Sequence, residues 1–397
     1  MERVLICDST LRDGEQAPNA GMTFEQKIEL GQSLMKLGVD VLEAGFAQAS
    51  PLDAKVIYHL SQRIQSKNII ISSLARCCER DIDTAIKALS PAIRLGQGRI
   101  HLFIATSQKH LEGKLKKDKE EILQTISKTV QYARKRTKDV QWTAEDATRS
   151  DTDFVAQCAQ KAIDAGATTI NFADTVGQMV DTQMQKFFET VISKLQYPPE
   201  TIFSVHCHDD KGLATANSLF AIKGGARQVE CCVNGLGERG GNAALEEIVM
   251  TILTTSECYP FMTNIDPKKI MLVSKMVEKF SGFLVPKNKA IVGKNAFLHA
   301  SGIHQDGIIK AKQNGIKIMY SSIDPEILGC QDEIIITRHS GTNGIISVLK
   351  DQGITVSFET ARWILNKVKQ QTDHPKGFTT KELMELYQGY DVEQKNP

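Results

Sequence analysis

The first 255 residues alternate short β-branched runs with longer amphipathic segments, and this alternation limits the possible folds more than any other feature. Strands that alternate with helices form parallel sheets, because each crossover helix covers a face of the sheet. Eight such units in about 250 residues is the count of a TIM (β/α)8 barrel. We therefore predict a TIM barrel over residues 1–257. The eight candidate strands are Val4–Ser9, Val39–Phe46, Asn68–Leu74, Arg99–Thr106, Val140–Glu145, Thr168–Phe172, Phe203–His208 and Gln228–Asn234.

An open, doubly wound sheet is the alternative fold for this pattern. Against it, no Gly-x-Gly-x-x-Gly motif follows the first strand, as a dinucleotide-binding sheet would require. Polar residues also end successive strands, and a barrel builds its active site from the carboxyl ends of its strands. These polar ends are Arg12-Asp13, Glu43, His101, Glu145, Asp174-Thr175, His206 with His208, and Asn234.

The segments between the strands carry helix signals of their own. Thr23-x-x-Gln26 forms a capping box, and Leu37-Gly38 and Ala165-Gly166 are typical of helix C-terminal ends. From about Cys258 the strand–helix alternation stops, and helical stretches at 267–280 and 359–370 flank a looser segment. We predict that residues 258–397 form a mostly helical extension, which packs on the barrel mouth or on a second subunit.

Composition excludes several classes of function. The net charge is +1, so nothing indicates a nucleic-acid partner, and no apolar stretch approaches the roughly 18 residues of a membrane span. The N-terminus runs directly into a strand-like sequence, so we expect no signal peptide. Nine cysteines without a Cys-x-x-Cys pair indicate reduced thiols. We therefore expect a cytoplasmic protein that binds neither nucleic acid nor membrane.

The most informative motif is His206-Cys207-His208, at the end of the seventh strand. Side chains two apart on a strand face the same side, so both imidazoles project from one surface. The candidate third ligand is Asp13, in the motif Asp8–Gln16 after the first strand. That motif alone is equally compatible with a polar loop that caps a helix. One carboxylate and two imidazoles leave coordination positions open for a 2-keto acid, whose developing charge Arg12 can neutralise.

A glycine-rich segment, Asn234–Asn242, follows the eighth strand. One interpretation is a turn into a helix that Asn242 caps. The other makes Asn242 an outer or water-bridged partner of the metal. A phosphate cradle lacks the Lys-Ser/Thr ending that it would need.

These residues carry a resemblance to a known family. The chain resembles the DRE-TIM metallolyase superfamily and, within it, the isopropylmalate and homocitrate synthase family. The resemblance extends to about residue 345. It is carried by Asp8–Gln16 (DSTLRDGEQ), Arg99–Ser107, Glu145–Ala147, Asp164–Gly177, His206–Leu219, Asn234–Met250, Lys289–Gly293 and Ser301–Gly307 (SGIHQDG).

The resemblance implies an acyltransferase in which acetyl-CoA is enolised, attacks a 2-keto acid and is then hydrolysed to CoA. It implies a divalent metal, Mn or Mg with Zn or Co as alternatives, and K⁺ as a further activator. It also implies a homodimer in which His304 reaches the neighbouring active site. By position in this sequence, the metal ligands would be Asp13, His206, His208 and Asn242. The catalytic residues would be Arg12, Glu145 and His304, and the substrate-binding residues Arg12, Gln16, His101, Thr143, Asn171 and Thr175.

The keto acid is expected to be 2-oxoisovalerate, giving 2-isopropylmalate for leucine biosynthesis. His101 and Asn171 match that type, and Gln141 stands where homocitrate synthases carry an arginine. Citramalate synthase, homocitrate synthase and a related condensing enzyme of specialised metabolism are the alternatives. Thr143, Trp142 and Phe172-Ala173 depart from the family and leave the preferred side-chain size open. Lys287, Lys289 and Lys294 are weak candidates for binding the phosphates of CoA.

Other classes fit less well. A biotin-dependent transcarboxylase would need a biotin-accepting or metal-bridging lysine, and a hydroxymethylglutaryl-CoA lyase would need a cysteine in the glycine-rich loop. An inert paralogue would need a damaged site. We expect a short form without a leucine-binding regulatory domain, and therefore no feedback inhibition by leucine. The histidines His59, His110, His299 and His374 receive no functional role.

Overall fold

The computed structural model describes residues 1–371 and 377–395, so His374 lies outside the described residues. Eight parallel strands close into a barrel in chain order, which confirms the predicted fold. Strands one and eight complete it, with Leu5 opposite Gln228 and Asp8 opposite Cys231. The strands are β1 Leu5–Asp8, β2 Val41–Glu43, β3 Ile70–Arg76, β4 Gly98–Ala105, β5 Asp139–Glu145, β6 Thr169–Asp174, β7 Ile202–Cys207 and β8 Gln228–Cys231.

A helix follows each strand and packs outside the barrel, as the apolar periodicity predicts. The capping box is present: the Thr23 hydroxyl accepts the Gln26 N–H at 3.3 Å, and Gln26 Oε1 accepts the Thr23 N–H at 2.8 Å. Gly38 ends the first helix with φ +101°, and a Cβ there would lie 2.3 Å from the Asn264 carbonyl oxygen. The helices are α1 Phe24–Leu37, α2 Pro51–Ser61, α3 Glu79–Arg94, α4 Lys119–Arg134, α5 Thr152–Asp164, α6 Asp181–Ile192, α7 Ala214–Lys223 and α8 Leu245–Thr254.

The first compact unit is longer than the predicted barrel domain. It spans Met1–Val285, so the boundary lies after the 257/258 position that we predicted. Phe261–Met262 pairs with Glu2–Arg3 as a parallel two-stranded sheet. Helix α9 (Ile270–Ser281) then holds the loop after β8, because the Ser274 hydroxyl donates to Asn234 Oδ1 at 2.5 Å. These contacts keep residues 258–285 with the barrel, although the strand–helix alternation has already stopped.

The second unit spans Pro286–Pro397 and is mostly helical. A short parallel pair, Leu298–His299 with Glu333–Ile334, lies beside the helices. Its apolar core includes Ile345, Leu349, Ile364 and Phe378. In the part of the chain that the structure describes, no helix is both long and apolar enough to cross a membrane. The helices of the second unit are α10 Gly302–Gln313, α11 Thr342–Asp351, α12 Phe358–Gln370 and α13 Thr380–Lys395.

Candidate active site at the barrel mouth

A cavity of about 350 Å³ opens at the carboxyl ends of the barrel strands, and all eight strand–loop units contribute to its wall. Parallel strands present their carboxyl ends on one face, so residues far apart in sequence meet there. The predicted residues on its wall are Arg12, Asp13, Gln16, His101, Thr143, Glu145, Asn171, Thr175, His206 and His208. Most of the predicted site is therefore brought together in one place.

Asp13, His206 and His208 form a compact cluster at this mouth. Each offers a ligand atom, and these atoms all lie within 4.8 Å of one another. The three side chains are only 4%, 5% and 6% exposed. The two imidazoles project from the same face of β7 and its extension, as the strand period requires. A buried cluster of one carboxylate and two imidazoles is a typical open site for a divalent metal.

Asn242 contacts this cluster directly. Its Nδ2 donates to Asp13 Oδ1 at 2.7 Å, and its backbone bridges that of His208. Helix α8 begins at Leu245 with Ala244 as its N-cap residue, so Asn242 does not cap the helix. Gly237 makes room for this side chain, because a Cβ there would lie 2.2 Å from Asn242 Nδ2.

The pKa values of Asp13 and His208 suit metal ligation. Burial opposes a charge on His206, but Glu230 and Asp13 together raise its pKa, so a metal would compete with a proton there. Burial opposes ionisation of Asp13, but the charges of Arg12 and the two histidines lower its pKa to about 2. Burial, together with the neighbouring His206, lowers the pKa of His208 to about 4. Metal ligands must be a carboxylate and neutral imidazoles, and Asp13 and His208 already are at neutral pH.

Unpartnered polar atoms give a second test of the fit. His208 Nδ1 and Asn242 Oδ1 are buried and have no hydrogen-bond partner among the residues that the structure describes. Buried polar atoms normally have a hydrogen-bond partner, so two unpartnered atoms at the Asp13–His206–His208 cluster indicate a missing partner. The donor set therefore fits a divalent metal.

Arg12 is held by two carboxylates in the barrel. Its Nε donates to Glu43 Oε2 at 2.6 Å, and its NH1 donates to Asp13 Oδ2. Glu43 also accepts the Ser9 hydroxyl at 2.6 Å and lies 2.5 Å from His101 Nδ1. Burial alone would raise the pKa of Glu43, but the charges of Arg12 and His101 keep it well below the usual range. Arg12 is thus a fixed cation beside the Asp13–His206–His208 cluster.

Glu230 on β8 is a site residue that the sequence did not indicate. Its Oε2 lies 3.2 Å from His206 Nδ1, and it also lines the cavity. A carboxylate behind a metal-binding histidine fixes the ring orientation and the tautomer. Nothing distinguishes this glutamate in sequence, because an inward-facing polar residue on a short strand resembles a solvent-facing one.

Thr143, His101 and Asn171 form a hydrogen-bonded group at the side of the cavity. The Thr143 hydroxyl lies 2.5 Å from His101 Nε2 and accepts Asn171 Nδ2 at 3.0 Å. Gln141 does not line the cavity; its side chain donates to Glu230 and lies 3.1 Å from His101 Nε2.

Two of the departures from the family do not reach the cavity. Trp142 is fully buried and is absent from the cavity wall. Phe172 packs edge-on against Phe187 and Phe188 of α6, with ring centroids 5.8 and 5.3 Å away. Alternation along a strand explains this, since Thr143 and Ala173 face inward and their neighbours face the helices. Of the four residues that depart from the family, Thr143 and Ala173 are therefore the ones that can affect which substrate side chain fits.

Glu145 lies at the rim of the cavity with two basic neighbours. Lys114 Nζ donates to its Oε1 at 2.7 Å, and His110 Nδ1 lies 3.4 Å from the same atom. We gave His110 no functional role from the sequence, but the structure places it on the cavity wall. The signal was absent because both residues lie on a loop and helical turn after β4 whose path no local pattern fixes. Thr175 also lies at the rim and donates to Asp146 Oδ1 at 3.3 Å.

His304 lies in the second unit, on α10. It is exposed, and its ring stacks on Tyr320 with centroids 4.2 Å apart and planes 18° apart. Lys287, Lys289 and Lys294 belong to the same unit. These residues therefore do not belong to the compact unit that contains the cavity.

Comparisons with known proteins show the family and agree with the fold. A family model described as HMGL-like matches residues 3–277, and one described as Homocitrate synthase post-HMGL domain-like matches residues 291–376. The chain therefore belongs to the HMGL-like family, whose enzymes depend on a divalent metal.

Within that family, the chain is similar to proteins named 2-isopropylmalate synthase. It is 43% identical over 376 residues to the one from Rhodopseudomonas palustris (strain BisB5), covering 94% of this chain and 70% of that one. It is 44% identical over 386 residues to that of Methylobacterium nodulans (strain LMG 21967 / CNCM I-2342 / ORS 2060), covering 97% and 72%. The hydroxymethylglutaryl-CoA lyase from Pseudomonas aeruginosa superposes with a TM-score of 0.59 at 20% identity, covering 74% of this chain and 96% of that one. That likeness concerns the fold.

Proposed function

We propose that this chain condenses acetyl-CoA with 2-oxoisovalerate and water to give 2-isopropylmalate and CoA. The observation that carries the proposal is the buried cluster of Asp13, His206 and His208 on the wall of the cavity. The similarity to 2-isopropylmalate synthases along 94% of the chain supports this choice of reaction. Leucine biosynthesis would be the pathway served.

We propose Asp13, His206, His208 and Asn242 as the residues that hold the metal. When bound, a divalent ion supplies a Lewis acid that polarises a chelating 2-keto acid. The side chains fit both Mn and Mg, with Zn or Co as alternatives, and K⁺ would be a further activator. Glu230 would orient His206 through its contact with Nδ1.

The condensation needs charge stabilisation and two proton transfers. A base takes a proton from the acetyl methyl group, whose carbon then bonds to the keto carbon. The keto oxygen becomes a hydroxyl, and its developing charge is stabilised by the Arg12 guanidinium, which Glu43 holds in place. Water then cleaves the thioester, releasing the CoA thiol and the new carboxylate.

Glu145 and His304 are our candidates for the acid–base pair. Glu145 lies on the wall of the cavity in which the reaction would take place. His304 would come from the second unit of a partner in a homodimer. His304 is exposed on the second unit, and an imidazole can both accept and donate a proton.

The substrate pocket favours an uncharged keto-acid side chain. Gln16 and Thr175 would bind the polar end of the keto acid at the rim, while His101, Thr143 and Asn171 border the side chain. The Gln141 side chain donates to Glu230 and is uncharged, so this position itself offers no cation to a second carboxylate. The chain would act in the cytoplasm, where acetyl-CoA is available and its nine cysteines stay as free thiols.

The test is the rate of thiol release from acetyl-CoA against a panel of keto acids. The purified protein would be assayed with 2-oxoisovalerate, pyruvate and 2-oxoglutarate, each after removal of metal and after addition of Mn²⁺ or Mg²⁺. We expect the highest kcat/KM with 2-oxoisovalerate and little activity after chelation. Higher kcat/KM with pyruvate or 2-oxoglutarate would contradict the substrate, and full activity with chelator would contradict the metal.

A further inference from the structure

Lys27 is fully buried, although it lies in the first turns of the outer helix α1. Lysine is almost never buried without a partner, because its charge loses its hydration. Its ammonium group is paired with two carboxylates: Glu15, and Asp53 at 2.8 Å. The two carboxylates come from separate segments of the chain, so Lys27 joins them.

Both partners of Lys27 also hold loop backbone. Glu15 Oε1 accepts the Met22 N–H at 2.8 Å, which closes the loop that follows Asp13. Asp53 Oδ2 accepts the Phe46 N–H at 3.0 Å, in the loop after β2. Each carboxylate therefore uses one oxygen for the lysine and the other for a loop amide, Glu15 within its own loop and Asp53 from the first turn of α2.

These two loops carry walls of the cavity. The first bears Arg12, Asp13 and Gln16, and the second bears Phe46, which packs edge-on against Phe103 at 6.5 Å. Glu15 lies between Asp13 and Gln16 in sequence, so a shift of its backbone moves the residues on either side of it. Lys27 itself does not line the cavity.

We propose that Lys27 is a positioning residue: it holds the loop that bears Asp13 and the loop that bears Phe46 in a fixed relation across the cavity. This inference rests on the proposed function for its effect on turnover, but not for its effect on the loops. The competing explanation is that Lys27 only compensates the charges of Glu15 and Asp53 and contributes to stability alone.

The two explanations separate in a set of three variants. Lys27→Met removes the cation but leaves two carboxylates without it, so it lowers stability under either explanation. The triple variant Lys27→Met/Glu15→Gln/Asp53→Asn removes these charges too, while the amide oxygens still accept the Met22 and Phe46 N–H groups. Leu34→Ala is the control, because Leu34 is fully buried on the same helix, seven residues after Lys27.

Four quantities would be measured for each variant: the melting temperature without metal, Mn²⁺ Kd by calorimetry, hydrogen exchange, and steady-state kinetics. Exchange would be followed in peptides containing Met22 and Phe46. We expect the triple variant to regain melting temperature relative to Lys27→Met. Its Mn²⁺ Kd should still be raised, and its kcat lowered, by about tenfold, the lower end of the loss seen when a group that holds a metal ligand is removed. Its KM for acetyl-CoA should not change, and both peptides should exchange faster than in Leu34→Ala.

The proposal would be overturned if the Mn²⁺ Kd, hydrogen exchange and kcat of the triple variant returned to wild-type values. It would also be overturned if Leu34→Ala changed these three quantities as much as the triple variant does. If Lys27→Met fails to fold, Glu15→Gln alone is the replacement; faster exchange at Met22 with a weaker Mn²⁺ Kd supports the proposal, and unchanged values overturn it. A wild-type protein that releases no thiol from acetyl-CoA with any keto acid would contradict the proposed function only. The exchange results would still decide the role of Lys27.

Discussion

Glu43→Gln tests the barrel network that fixes Arg12. The substitution keeps the shape of the side chain but removes a charge that is fully buried and lies 2.6 Å from Arg12 Nε and 2.5 Å from His101 Nδ1. Removing one partner of a buried ion pair costs about 3–5 kcal/mol. Arg12 keeps its contact with Asp13, so we expect a loss near the lower end, about 3 kcal/mol. For a unit of this size, that corresponds to a fall of about 6 °C in melting temperature.

The pH dependence of this loss has a definite sign. In the folded protein the pKa of Glu43 lies well below its ordinary value of 4.5. A depressed native pKa stabilises the fold above the unfolded pKa, and this contribution is lost as pH falls towards the native pKa. The difference between wild type and Glu43→Gln should therefore be constant above about pH 5.5 and shrink by about 1.4 kcal/mol per pH unit in the acid range.

The assay is urea unfolding of the metal-free protein, followed by circular dichroism between pH 4 and pH 8. Glu25→Gln, at an exposed position on α1, is the matched control and should stay within about 0.5 kcal/mol of wild type. A fall in unfolding free energy of less than about 1 kcal/mol at pH 7 would show that Glu43 is not a partner in a buried ion pair, because loss of one neutral hydrogen bond would explain it. So would a loss that grows as the pH falls.

Three further predictions concern the cavity. Asp13→Asn should abolish the stabilisation that Mn²⁺ gives wild type, about 2.7 kcal/mol of unfolding free energy at a hundredfold excess over Kd; a rise in melting temperature equal to that of wild type, measured by scanning fluorimetry, would show that Asp13 is not a ligand. Glu145→Gln should lower kcat by about 10²–10⁴-fold with little change in KM, as expected for loss of an acid–base group; unchanged kcat would remove it from that role. Thr143→Ser removes a methyl group beside His101 and Asn171, and should raise the relative kcat/KM for a keto acid one methylene longer than 2-oxoisovalerate by about tenfold. An unchanged ratio of the two kcat/KM values would show that Thr143 does not limit side-chain size.

The barrel was predictable because its strands and helices follow strong periods. All eight predicted strands begin within two residues of those observed, and six also end within two residues; β2 and β8 end three residues earlier than predicted, at Glu43 and Cys231. The end of the first compact unit at Val285 was not predictable. Residues 258–285 carry no β/α alternation, and only three-dimensional contacts such as that of Ser274 with Asn234 tie them to the barrel. Two-residue strands such as Glu2–Arg3 leave no pattern in a sequence at all.

The site was predictable where motifs end strands, and missed elsewhere. His206, His208 and Asp13 stand out because closely spaced ligand-type residues follow apolar strands. Glu230 and Lys27 do not, because a single glutamate in a strand or a single lysine in a helix has many structural explanations. Their roles depend on partners more than ten residues away, such as His206 for Glu230, which only the closed barrel brings together.

The proposed reaction is a metal-dependent condensation at the Asp13–His206–His208 cluster. The most direct measurement is the product formed from acetyl-CoA and 2-oxoisovalerate, identified by mass spectrometry with chelated, Mn²⁺-restored and His208→Ala protein. We expect 2-isopropylmalate and one equivalent of CoA thiol with the Mn²⁺-restored wild type, and neither product in the other two samples. Formation of 2-isopropylmalate by the chelated protein, or none by the Mn²⁺-restored protein, would contradict the proposed reaction.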